Sequence, residues 1–331
     1  MGSLTTVGMI ALKGLAALAI GLANVIVFLY LERKVVADMQ VRFGPMRVGP
    51  HGLLQPIADS IKLIIKEDII PAEADTWLFA LAPVIAFVPA FMLYLTIPIS
   101  EHLVVANLDL GFFYLFGMLT VVPVGILIAG WASHSKYSLI GGLRGAAQQI
   151  SYEIPLLASV LGVIMLAGSF SLVEIVKAQQ APLLQLGGVT ILPRWFIFLQ
   201  PFGFLFYFTA ALADTQRTPF DMPEAESELV QGYSTEYSSM KFALFFLGEY
   251  SNALIISALS VIAFFGGWSG PGPIPGVVWF FLKTYAFVYF IIWLRSTLPR
   301  IRIDQLMDLG WKVLLPLTLI NIVVTGFLII R

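Results

Sequence analysis

Apolar runs of membrane length alternate with short polar stretches along this chain, and the alternation predicts its architecture. Spanning helices are expected at about Val7–Leu31, Thr76–Ile99, Gly111–Trp131, Tyr152–Leu166, Arg194–Ala213, Lys241–Gly266, Val277–Leu298 and Trp311–Ile330, eight in all. The fourth is short and can extend back through GGLRGAAQQISYE. Pro83, Pro89, Pro123, Pro155, Pro201 and Pro316 punctuate the set, which suits a bundle whose neighbours satisfy the freed carbonyls. One apolar pattern is different in kind. In Gly52–Asp68, Leu53, Ile57, Ile61 and Ile64 recur at helical spacing, while Asp59, Lys62, Lys66 and Glu67 fill the rest. It predicts an amphipathic helix lying in the interface; the same periodicity fits a helix packed on a partner subunit.

The expected fold is therefore an all-α integral membrane protein, a single polytopic domain over residues 1–331, with larger loops at about 32–75, 133–151, 214–240 and 299–310. Composition agrees: 59% of the 331 residues are hydrophobic and only 12% charged, against about 25% charged in a soluble domain. The first span is long and ends in Glu32-Arg33-Lys34 rather than small residues, so it reads as retained and not as a cleaved signal. MGSLTT fits a loose myristoylation pattern, but an anchor adds little to a chain that already spans.

Charge placement sets the expected orientation. Fourteen of the nineteen Lys and Arg flank the loops after spans one, three, five and seven, which places those loops in the cytoplasm and both termini outside. The net charge of -1 gives no basic face for nucleic acid. There is no cysteine, and His51, His102 and His134 show no ligand spacing, so this chain is expected to bind no metal or iron–sulfur cluster.

The candidate chemistry lies in carboxylates. Between Ala213 and Tyr250 stand Asp214, Asp221, Glu224, Glu226, Glu228, Glu236 and Glu249, opposed only by Arg217 and Lys241. Counted from Lys241, Glu249 lies about 12 Å along a helix, within a hydrocarbon core of about 30 Å, where a carboxylate marks function by default. Glu224 and Glu228, four apart, would share a helix face and repel. Acids so crowded raise one another's pKa and titrate as a set. With Glu153 at the mouth of the fourth span, they compose a proton relay from interface to interior. The competing reading is a salt-bridged cap, in which the basic groups around Arg33 and Arg42 and around Arg295, Arg300 and Arg302 neutralise the acids.

Four long motifs carry a resemblance that covers nearly the whole chain: ERKVVADMQVRFGPMRVGPHGLLQPIADSIKLIIKED, GWASHSKYSLIGGLRGAAQQISYE, RTPFDMPEAESELVQGYSTEYSSMKFALFFLGEY and LPRIRIDQLMDLGWK. They resemble the H-subunit family of respiratory complex I, the proton-translocating NADH:quinone oxidoreductase, whose mitochondrial counterpart is NADH dehydrogenase subunit 1. His134 and Gln149 stand where that pattern has Asn and Met. The resemblance implies eight transmembrane helices, with spans two to six similar to part of an antiporter-like unit. It implies a quinone chamber whose entrance is framed by span one, span six and the amphipathic helix, and an acid funnel leading from it into the membrane arm. Residue by residue, Glu153, Asp214, Asp221, Glu224, Glu226, Glu228, Glu236 and Glu249 take the funnel roles, and Arg33, Gln40, Arg42, Phe43, Arg217, Phe220, Arg295, Arg300 and Arg302 fall at or near the chamber. Quinone is the implied substrate. FMN and iron–sulfur clusters belong to partner subunits of the hydrophilic arm, and small membrane-arm subunits and lipid complete the surroundings. The implied location is an energy-transducing membrane, the bacterial plasma membrane or the mitochondrial inner membrane. Two rival readings are a scaffold in a membrane-bound hydrogenase-type complex and a stand-alone proton or cation antiporter, for which Lys283 is the one candidate lysine within the bilayer.

Overall fold

The computed structural model describes residues 2–186, 189–271 and 273–330. Helix α1 (Gly2–Met39) runs eight residues past the expected end at Leu31. Glu32, Arg33 and Lys34 therefore lie on helix and not in a loop. The charge of Glu32 tolerates this because Arg217 and Arg295, far along the chain, come to meet it. After a 3-10 turn at Pro50–Gly52 comes α2 (Gln55–Ile65), whose Ile57, Ile61, Ile64 and Ile65 are exposed. Arg33 pairs with Asp59, and Ser239 Oγ donates to the Leu63 carbonyl at 3.1 Å, which moors α2 across the bundle.

Helix α3 (Thr76–Met92) tightens into a 3-10 turn and stops at Leu95, short of Ile99. The third span is two pieces, α4 (Gly111–Leu119) and α5 (Val122–Ala132). Pro123 opens the second piece, and having no N–H it cannot donate to the Leu119 carbonyl, which interrupts the ladder there. Helix α6 (Lys136–Ala167) takes up most of 133–151, expected as loop, by extending back through GGLRGAAQQISYE. Small residues make that packing possible: a Cβ on Gly142 would lie 3.1 Å from Gly130 Cα on α5.

Beyond α7 (Leu172–Gln179), strands β1 (Pro182–Leu186) and β2 (Val189–Pro193) form a short antiparallel hairpin in an otherwise helical chain. The expected span Arg194–Ala213 is broken at Gln200 into α8 (Phe196–Leu199) and α9 (Pro201–Asp214). Pro201 cannot donate, so a continuous ladder is impossible there. A short turn of helix, α10 (Glu226–Leu229), interrupts the loop that follows.

Helix α11 (Ser239–Phe264) is the axis of the molecule: every residue from Tyr250 to Phe264 is buried. A helix apolar all round is one surrounded by others. Here α3, α12 (Gly276–Thr297) and α1 pack on it. The last span is α13 (Ile303–Asp308), a π-helical turn (Leu309–Leu314) and α14 (Leu315–Ile330). Leu319, Ile320, Val323, Phe327 and Leu328 of α14 face outward. Among the described residues seven helices are long and apolar enough to cross a membrane, which makes this an integral membrane protein.

Candidate functional site

A charge cluster lies where α1, α11 and α12 meet the segment that follows α9. At its centre is Arg217, 4% exposed, three residues beyond the end of α9. Its Nη1 is 3.3 Å from Glu32 Oε1 and its Nη2 is 3.0 Å from Glu249 Oε1, so one guanidinium serves two carboxylates. The Tyr250 ring lies 4.1 Å from the guanidinium carbon and Phe28 lies 5.9 Å away, a cation–π pair that suits a desolvated arginine. Glu32 also pairs with Arg295 of α12 and accepts a hydrogen bond from the Tyr250 hydroxyl. Burial opposes the charge on Arg217, but Glu249, Tyr250 and Glu32 together hold its proton more firmly than usual. Its Nε is buried without a hydrogen-bond partner among the described residues.

Glu32 is on the wall of a cavity of about 620 Å³ with Arg33, Gln40, Arg42, Tyr250 and Arg295. Leu29, Val36 and Phe246 supply apolar surface beside these polar groups. Four predicted chamber residues therefore meet here: Arg33, Gln40, Arg42 and Arg295. Arg42 Nε donates to Gln40 Oε1 at 2.7 Å. Five do not line it. Arg217 stands behind Glu32; Phe43 is 88% exposed; Phe220 is buried against Tyr152; Arg300 turns to Asp221 at 2.8 Å; and Arg302 pairs with Asp304 at the start of α13.

The acids separate in the same way. Glu224 lies next to the cluster, and burial pushes its carboxyl up to about 8, reinforced by Glu249 and Asp221. Burial also raises Asp221, against the pull of Arg300. Glu228 is exposed and pairs with Arg144 at 2.6 Å. The expected repulsion of Glu224 and Glu228 across one helix face does not occur, because α10 begins only at Glu226. The Glu226 side chain lies outside the described residues. Glu236 is half-buried and enters no salt bridge among the described residues. Deeper in, Asp214 accepts from Asn252 Nδ2 at 3.2 Å, and Glu153 accepts from the Thr120 hydroxyl.

Between Glu249 and Asp214 is a small cavity of about 20 Å³, lined also by Gln149, Tyr233 and Asn252. The Gln149 Oε1 and Asn252 Oδ1 atoms are buried and have no hydrogen-bond partner among the described residues. A polar space of this size holds one water. Among the described residues no three His, Asp or Glu side chains gather as a metal donor set.

Sequence reasoning misses Glu32 and Tyr250 as site residues. It places Glu32 in a loop, whereas the helix of the first span continues through Glu32 to Met39. Tyr250 offers no separable signal beyond adjacency to Glu249. Lys283 is engaged elsewhere: its Nζ donates to the carbonyls of Phe265 at 2.7 Å and Gly267 at 3.2 Å.

This arrangement defines a class: a polytopic helical membrane protein with a charged cavity beside a salt-bridged cluster of arginines and carboxylates. Comparison with known proteins specifies it further. The family model described as NADH dehydrogenase matches residues 12–326. The chain is 51% identical to the H subunit of the NADH-quinone oxidoreductase of Dehalococcoides mccartyi strain CBDB1 over 306 residues, 92% of this chain and 83% of that one. It is 46% identical to the H 1 subunit of the Geobacter sulfurreducens enzyme, covering 91% and 89% of the two chains, and 46% identical to the H 2 subunit of the Rhizobium meliloti enzyme, covering 98% and 99%. The chain belongs to the NADH dehydrogenase family, the family that contains these H subunits of NADH-quinone oxidoreductases.

Proposed function

We propose that this chain is the membrane subunit of a proton-pumping NADH:quinone oxidoreductase that forms much of the quinone chamber and passes the effect of quinone reduction to the pumping subunits. The observation that carries the reading is the sharing of Arg217 between Glu32, on the cavity wall, and Glu249, on the interior helix α11. In this reading the α8–α9 pair crosses as a broken helix and makes the eighth span. Helix α2 lies along the cytoplasmic interface, and the cavity opens on that side, where positive charge is concentrated. Partner subunits of the hydrophilic arm deliver electrons from their iron–sulfur clusters, and this chain contributes no redox centre.

A quinone taking two electrons must take two protons to become the neutral quinol. A negative charge that develops beside Glu32 and Arg295 competes with Glu32 for the arginines. Glu32 then draws Arg217 away from Glu249, or Glu32 itself accepts a proton. Either event changes the field at Glu249 and Glu224, whose protonation shifts in turn. The single-water cavity links Glu249 to Asp214, and Glu153 continues the line toward the neighbouring membrane subunits. Each unit of pKa change in such a group corresponds to about 1.4 kcal/mol, so a few coupled acids transmit several kcal/mol.

The test separates two activities. With Glu249→Gln in assembled membranes, quinone reduction with artificial release of the proton gradient should persist at a reduced rate while proton pumping per electron falls several-fold. Wild-type pumping and wild-type reduction together would remove Glu249 from the mechanism.

A further inference from the structure

At the other end of α1, α11 and α12, away from the charge cluster, a second cavity of about 230 Å³ opens beside Lys13. Its walls are small and apolar residues of α1, α11 and α12, among them Ala17, Ile20, Leu254, Ala258 and Phe281, together with Ile97, Leu103 and Val104 of the segment after α3. Two cationic or protonatable groups stand among its lining residues: Lys13, exposed on α1, and His102 in the segment after α3. The adjacent Glu101 does not oppose them closely, since it turns to Lys177 at 3.8 Å. At the far end, Tyr285 donates to Asn24 at 2.6 Å, so these two groups satisfy each other.

The dimensions select the occupant. From Lys13 to Asn24 is eleven residues of α1, about 16 Å, which is one leaflet of a hydrocarbon core about 30 Å thick. Spread over that depth, a cavity of about 230 Å³ is a slim slot, too narrow for a helix about 10–12 Å across. An apolar slot one leaflet deep, with an ammonium at its mouth, matches an acyl chain carrying an anionic headgroup. We propose that this slot binds one anionic phospholipid, its phosphate at Lys13 and His102 and one acyl chain lying between α1, α11 and α12 down to the Asn24–Tyr285 pair. The inference takes from the proposed function only the identity of the leaflet, the outer one.

The test uses the intact purified complex in detergent with a phosphatidylglycerol probe that carries a photoactivatable group midway along one acyl chain. Labelling should map to peptides containing Ile20, Leu254 and Phe281. Unlabelled phosphatidylglycerol should compete about tenfold better than phosphatidylcholine. Lys13→Glu, a surface change that leaves the bundle intact, should abolish that preference; Ala258→Phe should block labelling whichever headgroup is used. Labels scattered over the lipid-facing helices, equal competition by the two lipids, or an unchanged preference in Lys13→Glu would each overturn the proposal. Quinone reduction is not the readout, so failure of the functional reading and failure of the lipid site are distinguished.

Discussion

Two cavities separate the same three helices, one at each end. Beside Glu32 the space is about 620 Å³ and is walled by arginines, a carboxylate and a tyrosine. Beside Lys13 it is about 230 Å³ and its lining is mostly alanine, isoleucine, leucine and phenylalanine. Between them lies a packed plug of Val25, Phe28, Leu254, Val288 and Ile292, nearly all of it inaccessible. One bundle thus provides a charged end and a mostly apolar, slimmer end, kept apart by well-packed side chains. Helix geometry alone does not decide which end is which. What decides it is where the chain places charges that only distant residues can neutralise.

The strongest way to break this contrast is to remove the shared cation. Arg217→Ala leaves Glu32 with Arg295 alone and Glu249 without its guanidinium, and losing one partner of a buried pair costs about 3–5 kcal/mol. The expected outcome is loss of assembled complex, read by native gel electrophoresis of membranes. Next is the plug. Phe28→Ala removes a ring packed edge-on against Tyr250 at 5.1 Å and is expected to cost about 3 kcal/mol, seen as a lowered thermal midpoint of the purified complex.

The comparison is sharpened by Gly141, where α6 meets the loop that carries the acids. A Cβ there would come within 2.6 Å of Gly232 Cα, so Gly141→Ala is expected to cost about 1–3 kcal/mol and to displace Tyr233 from the small cavity. Glu224 gives a pH signature. Its carboxyl, ordinarily near 4.5, is pushed up to about 8 by burial, so the folded protein binds a proton that the unfolded chain has released. Stability from this group is present below about pH 4.5 and is lost as pH rises through about 8. Glu224→Gln should flatten that slope in denaturation midpoints measured from pH 5 to 9. The smallest effect belongs to Glu228→Gln: its exposed pair with Arg144 is worth about 0–1 kcal/mol, and pumping should stay near wild type.

The spans are legible because twenty apolar residues in a row have few other uses, and the family motifs are legible because they are long. Local pattern fails where distant residues decide. Glu32-Arg33-Lys34 has the composition of a loop start, yet Arg295 and Arg217, more than 180 positions away, keep Glu32 on the helix. Glu224 and Glu228 look alike at four-residue spacing, but the chain turns between them, and one lies half-buried beside the Arg217 cluster while the other faces Arg144. Pro201 signals the break at Gln200. Hydropathy outweighs that missing donor when Arg194–Ala213 is read as one span.

The π-helical turn at Leu309–Leu314 has its own consequence for the broken helix opposite. Leu315 donates to Gly310, five residues back, so one residue is in effect inserted before Pro316. An added residue rotates everything downstream by about 100°. That rotation is what turns Thr325 inward, where its hydroxyl accepts from Gln200 Nε2 at 2.6 Å beside the gap between α8 and α9. Excising a single residue from the wide turn would swing Thr325 out to the lipid and leave the Gln200 amide searching for another acceptor.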